Sequence, residues 1–472
     1  MMTPTASTLG EAYYLAEWII RLAMLAVVPF RRNPAATRSW LLLIFFLPVP
    51  GLLLFLAIGT PRFPQWRSER FAGLQPFLAG LRARLLPVAP PVGSSADRQI
   101  GDLACQLGHL PATRGNTIDY IDDYDGTIDR LIADIDAARH HVRLLVYIFA
   151  DDAVGHKVIA ALRRAVARGV ACHVLVDPVG SQHWIRAVLR DLGLAGVSVR
   201  STLPFRLWRR RTRRDMRNHR KIFLIDGIIG YAGSQNIIAK DFRRGVINRE
   251  LVARITGPAV AEMAAVFLVD WYLETETMLE DAPLIPAPAG SAILQALPSG
   301  AEYPLEGFQT LLIWQIHQAQ DRVTIVTPYL IPDEALLGAF RTAVTRGVTI
   351  DLIVSAVADQ PLVNLAQSSY YDELLVSGVR IHRFRDFLLH AKNVCIDDRL
   401  AILGSSNVDI RSFQLNEEIS LLIYDRAGIE GLRQIQLGYL ADSDMLSLDR
   451  WRERGRLRKL TENAARLVSP LL

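Results

Sequence analysis

Two stretches of this chain carry the same chemically active side chains at the same spacing. One runs His219-Arg220-Lys221-Ile222-Phe223-Leu224-Ile225-Asp226, followed by Gly233-Ser234-Gln235-Asn236. The other runs His390-Ala391-Lys392-Asn393-Val394-Cys395-Ile396-Asp397, followed by Gly404-Ser405-Ser406-Asn407. In both, Lys lies 2 residues after His, Asp 7 and Asn 17. In an extended strand residues i and i+2 share a face, so His219 projects with Lys221 and His390 with Lys392. Two imidazoles, two ammonium groups and the carboxamides of Asn236 and Asn407 suit phosphodiester chemistry with neither metal nor other cofactor. One imidazole attacks phosphorus and the other protonates the leaving alcohol. The Lys and Asn groups hold the charge on the equatorial oxygens.

Asp226 and Asp397 complete the two cassettes but lie an odd number of residues from their histidines. In a continuous strand they face away, as turn or scaffold residues able to salt-bridge. Better partners for the rings are Glu250 and Glu418, in Asn248-Arg249-Glu250 and Asn416-Glu417-Glu418, which recur in register after the cassettes. A carboxylate on Nδ1 fixes the tautomer that leaves Nε2 free to react. Glu418 is expected on the ring of His390, with Glu250 its counterpart. A single histidine in a strand is more often a satisfied core residue; two full cassettes in register argue for a site.

The surrounding elements repeat as well. Helical periodicity around Ile128, Leu131, Ile132 and Ile135 precedes a strand-like run, Val142 to Phe149. A helix over 156–169 and a strand over His173 to Val176 follow. Later the order returns as a helix over 307–319, a strand over Val323 to Val326, a second helix, and a strand over Ile350 to Val354. Ala165-Val166-Ala167-Arg168-Gly169-Val170 matches Ala343-Val344-Thr345-Arg346-Gly347-Val348. The predicted fold is α/β, with two duplicated halves of mixed sheet flanked by helices, over 117–285 and 286–445, facing each other around one site. The Pro- and Ala-rich stretch from Asp281 to Gly290 is the seam.

The chain has 472 residues, 50% of them hydrophobic, with a net charge of +5. That apolar share points to membrane segments, and the charge favours anionic partners. Residues 1–60 are predicted to form an anchor of two transmembrane helices, one in 12–30, which carries Glu17 and Arg21, and one over Trp40 to Gly59, which carries no charge. A cleaved signal peptide fits less well, because the region before the first apolar run has no basic residue. Basic residues flank the second segment on both sides, so the membrane side of the catalytic part stays open. Residues 61–116 read as a basic, Pro-rich linker, and 446–472 as a basic C-terminal segment that either meets acidic lipid or is a solvated helix. Arg209, Arg210, Arg211, Arg213 and Arg214 lead into the first cassette beside Phe205 and Trp208, and suit contact with phosphate or an anionic lipid surface. The three cysteines are scattered, with neither a disulfide framework nor a zinc spacing.

At these residues the chain resembles the phospholipase D superfamily, whose hallmark is the duplicated HKD motif, and more narrowly the bacterial cardiolipin synthases. Asn218-His219-Arg220-Lys221 is similar to the first motif. Leu389-His390-Ala391-Lys392 and Gly404 to Asn416 are similar to the second. Arg31 to Thr37 followed by Trp40 resembles the family's anchor, and Ser469-Pro470-Leu471-Leu472 a common ending. Gly233-Ser234 and Glu250 depart from the frequent Gly-Gly and Asp. The resemblance implies a multi-pass protein integral to the bacterial inner membrane, with phosphatidylglycerol and anionic membrane lipid as partners and no nucleic acid expected. It implies that a phosphohistidine forms on His219, with His390 as acid then base; the residues themselves are symmetric and leave the nucleophile open. A hydrolase acting on phospholipid, a nuclease and a non-catalytic lipid-binding scaffold are the competing readings.

Overall fold

The computed structural model describes residues 6–32, 34–59, 65–90, 95–204, 216–280 and 282–469. Its centre is one fifteen-stranded mixed sheet built from two runs of seven strands in the same spatial order. From the seam outward the first half places Thr113–Ile121, Val252–Thr256, Ile229–Gly233, Ile222–Ile225, His141–Val146, Ala171–Val176 and Ser198–Ser201. The second half places Ala292–Ser299, Glu418–Ile423, Leu400–Gly404, Asn393–Ile396, Arg322–Val326, Thr349–Ser355 and Arg380–Phe384, with Ser443–Met445 added at its edge. The two runs join where Thr113 and Asn116 pair antiparallel with Leu294 and Ala292. In each half the outer three strands run parallel and the rest antiparallel. The halves are thus one sheet with internal two-fold order.

The repeated Arg-Gly-Val is a helix stop. Gly169 and Gly347 sit at φ 87° and 92°, just past helices Ala153–Ala167 and Glu334–Thr345, where a side chain would be strained. Helix Ala259–Thr275 is buried nearly all round, and its Glu262 bridges the seam. Glu262 pairs with the Thr113 hydroxyl at 2.8 Å and accepts from the Ala296 N–H at 2.7 Å, one partner from each half.

The N-terminal region departs from expectation. Among the described residues no helix is long and apolar enough to cross a membrane. Helix Ala6–Val27 keeps Glu17 and Arg21 paired at 3.2 Å on one face. Trp40 to Gly59 is not one span: Pro34–Phe46 and Pro48–Ile58 are separate helices. Proline at the start of the second cannot donate to the turn before it, so the chain reverses at Leu47. Phe55 therefore folds back onto Trp40, ring centroids 5.2 Å apart, and with Met24, Val28, Ala36 and Ile44 they make a small core. Around it Tyr13, Tyr14, Leu15, Trp18, Phe46 and Leu56 stay exposed.

The linker is also more than a connector. Gln65–Gly73, Gln75–Leu85 and Ser95–Gly108 are helices, and Phe71, Leu78, Leu81 and Leu85 join a core drawn from both halves. Strand Thr113–Ile121 begins inside the stretch assigned to the linker. The register shift at Gly115, which sits at φ 87°, and the strand's mixed polarity hide it from a periodicity reading. At the other end, helix Arg456–Val468 lies on helix Pro361–Val376. Glu462 is buried against Arg454 at 3.0 Å and Arg458 at 3.1 Å, so part of that basic charge is spent within the fold. Leu457, Leu460 and Leu467 remain exposed on the same helix.

Candidate active site

Each histidine is brought in by a short extended segment held by the opposite half. The His219 N–H donates to the Glu417 carbonyl at 2.8 Å, and the Glu417 N–H to the Arg217 carbonyl at 2.8 Å. In the other direction Leu388 and Leu389 pair parallel with Asn248 and Arg249, and the His390 N–H donates to the Arg249 carbonyl at 2.8 Å. This exchange decides which carboxylate meets which ring. His219 Nδ1 lies 3.0 Å from both oxygens of Glu418, and His390 Nδ1 lies 2.8 and 3.0 Å from those of Glu250. The expected pairing of Glu418 with His390 is therefore corrected: the carboxylates cross the seam. Register within one half could not reveal this, because it arises from how the second copy docks.

Gly-Ser in each cassette sets the carboxylate strand. A Cβ on Gly233 would fall 2.4 Å from the Leu251 carbonyl oxygen, and one on Gly404 2.2 Å from that of Ile419, so only glycine allows the approach. The following serines accept from the N–H of Leu251 and Ile419, each at 3.0 Å. Ser405 also donates to Glu418 at 2.5 Å, and Ser412 at 3.0 Å. These serines are positioning groups that side-chain chemistry alone did not single out; their signal was the repeat of Gly-Ser itself.

Lys221 and Lys392 share the face of their histidines and donate to the His219 and His390 carbonyls at 2.6 and 2.5 Å. Burial pulls both ammonium groups down, Lys221 to about 7 and Lys392 to about 8, against the pull of Glu418 and Glu250. Burial likewise holds His219 and His390 at about 4, although the facing carboxylate works the other way. Both rings are thus neutral at pH 7. Glu418 and Glu250 are drawn below the usual carboxylate range: burial opposes this, but the rings and nearby lysines outweigh it.

A cavity of about 320 Å³ lies between the halves. His219, His390, Asn236 and Asn407 all line it, with Arg217 and Arg411. The Asn236 oxygen accepts from the Ile148 N–H at 3.0 Å, which leaves its NH₂ as the donor for a ligand. Tyr147 meets the His219 ring edge-on at 4.8 Å, and Tyr329 stands 6.3 Å from His390. These two tyrosines went unnoticed in the sequence; each follows the carboxyl end of a parallel strand, where such sheets present ligands. The run Arg209, Arg210, Arg211, Arg213 and Arg214 lies outside the described residues.

Asp226 and Asp397 are remote from the cavity. Both occupy left-handed turns, at φ 53° and 49°. Asp226 accepts from the N–H groups of Arg139, His140 and His141 at 2.7–2.9 Å, and Asp397 from those of Gln320, Asp321 and Arg322 at 2.9–3.4 Å. Each ties the far end of its cassette strand to the loop ahead of the neighbouring strand. Asp226→Ala is expected to lower stability by about 1–3 kcal/mol, the scale of a few partly exposed charge-assisted bonds. Urea unfolding should show that loss while the turnover of folded protein stays within about threefold of the original.

The sequence matches the family described as "Cardiolipin synthase, PLD-like domain" over residues 131–271 and 312–436. It is 32% identical to "Cardiolipin synthase A" of Yersinia pseudotuberculosis serotype O:1b (strain IP 31758), with 100% of both chains covered. The relative of the same name from Serratia proteamaculans (strain 568) is also 32% identical over 100% of both chains. In structure the chain is similar to the phosphatidylserine synthase of Haemophilus influenzae Rd KW20, with a TM-score of 0.61, 16% identity, and 80% of this chain and 100% of that one covered. Two interlocked cassettes around one cavity and a full-length likeness lead to the same place: the chain belongs to the cardiolipin synthase family of the phospholipase D superfamily.

Proposed function

We propose that this protein is a phosphatidyl transferase that makes cardiolipin and glycerol from two molecules of phosphatidylglycerol. The observation that carries the reading is the pair of rings lining one cavity, each with Nδ1 on a buried carboxylate of the other half. His219, neutral, attacks phosphorus through Nε2, and the bond from phosphorus to the glycerol oxygen breaks. His390 gives its proton to that oxygen. The bound phosphodiester, an anion beside the ring, favours the protonated state that the empty site does not. A headgroup hydroxyl of the second phosphatidylglycerol then passes its proton to His390 and attacks phosphorus, and the His219 bond breaks. Lys221, Lys392, Asn236 and Asn407 hold the phosphoryl oxygens throughout. The residues suffice without metal or cofactor.

The exposed apolar surface of the N-terminal helices seats the enzyme in the bacterial inner membrane, where its substrates lie. The arginine run at 209–214 and the leucines of the last helix add contact with anionic lipid. Radiolabelled phosphatidylglycerol given to the purified protein is expected to yield cardiolipin and free glycerol in equal amounts. Phosphatidic acid as the sole labelled lipid product would replace this reading with a hydrolase.

A further inference from the structure

The buried charge that the chemistry leaves unused lies directly behind His219. Arg67, on helix Gln65–Gly73, is only 1% exposed, and its guanidinium faces three carboxylates. It bonds Glu417 at 2.6 Å, Glu274 at 2.7 Å, and Glu302 through Nε. Glu417 is wholly buried, and its other oxygen accepts from the Asn218 side chain at 2.7 Å. Asn218 and Arg220 flank His219. Arg220 pairs with Asp270, and its Nε donates to the Glu418 carbonyl at 3.0 Å. The cluster thus joins five segments: the stretch before the first half, both sides of the His219 segment, helix Ala259–Thr275, the loop that bears Glu302 after strand Ala292–Ser299, and the strand that bears Glu418. Burial drives Glu417 well above the ordinary carboxylate range, and Arg67 is the first group to oppose it. Among the described residues the second histidine has no such support. Leu389 and Ala391 stand where Asn218 and Arg220 would be, and Arg249 where Glu417 would be.

We infer that Arg67 is a positioning residue for His219 alone: by holding Glu417 against Asn218, it fixes the segment whose ring must meet Glu418. The inference rests on the phosphodiester reading of the site, and it makes a segment outside both halves part of that site. Its planar guanidinium fork reaches the three carboxylates from three separate nitrogens, whereas an ammonium group has a single nitrogen to place among them.

The test uses the full-length protein in phosphatidylglycerol vesicles. Arg67→Lys is expected to lower kcat about tenfold and Arg67→Met at least a hundredfold, with KM within twofold of the original. Arg67→Met/Glu417→Gln should recover about tenfold of that loss, because a neutral amide needs no guanidinium partner and its oxygen can still accept from Asn218. A second readout needs no turnover: nitrogen NMR of labelled histidine. In Arg67→Lys the His219 ring should become a mixture of tautomers while the His390 ring stays as before. Original kcat and an unmixed His219 ring in folded Arg67→Lys would overturn the inference, as would equal disturbance of both rings. Should Arg67→Met fail to fold, Arg67→Lys and the double variant decide the matter. If the original protein makes no cardiolipin, the functional reading fails, and the NMR comparison still judges Arg67.

Discussion

His390→Ala is expected to stop cardiolipin formation and leave a covalent phosphatidyl adduct on the protein, whereas His219→Ala stops it and leaves none. The loss should exceed about 10⁴-fold in kcat for the nucleophile and reach about 10²–10⁴-fold for the acid and base, since each ring acts in both steps of the reaction. The asymmetry follows from the order of steps. Without His390 the leaving glycerol must take its proton from water, so the first step is slow but possible. The second substrate then has no base, and the phosphohistidine on His219 persists. Without His219 nothing attacks phosphorus. Denaturing the two variants after incubation with labelled phosphatidylglycerol and counting acid-labile protein-bound lipid distinguishes them. The opposite pattern would exchange the roles of the two rings. Both substitutions leave a buried carboxylate facing a void, so a His→Gln pair serves as a check on folding.

The second large effect is crosswise. Glu418→Gln should behave like loss of His219, and Glu250→Gln like loss of His390, because the contacts run across the seam at 2.8–3.0 Å. An amide accepts more weakly than a carboxylate and can turn its NH₂ toward Nδ1, which favours the tautomer with the proton on the reacting nitrogen. A decrease of up to about 10⁴-fold in kcat is expected for each, the scale of loss when an orienting carboxylate becomes its amide. The diagnostic is again the adduct: it should accumulate in Glu250→Gln and be absent from Glu418→Gln. A double-mutant cycle adds a second check. His219 with Glu418 should be far from additive, and His219 with Glu250 closer to it. Strong coupling inside one half would contradict the crossed geometry.

Much of this arrangement was legible in the sequence because duplication doubles every signal. The strands at Val323 and Ile350 and the helix at 307–319 were readable from apolar runs and from Gly347, and lie within a residue or two of Arg322–Val326, Thr349–Ser355 and Gly307–Gln318. The i, i+2 relation of His and Lys was readable from strand geometry alone. Other features were not. The pairing of Glu418 with His219 depends on how two copies interlock, which no local pattern encodes. The reversal at Leu47 turns on whether proline kinks a helix or ends it, and only the fit of Phe55 on Trp40 decides. Arg67 looked like one more basic residue in a linker, because a buried arginine differs from a solvated one only by the acids that reach it from Glu274, Glu302 and Glu417.

The crossing of the carboxylates also sets an order on biosynthesis. A nascent chain that has emerged only as far as Ser299 holds His219, Lys221 and Asn236, but its ring has neither Glu418 nor a second imidazole beside it. The last of these groups arrives with strand Glu418–Ile423, nearly at the end of translation. Until then a ribosome-bound fragment is unable to transfer a phosphatidyl group, and a truncated product stays inert for the same reason.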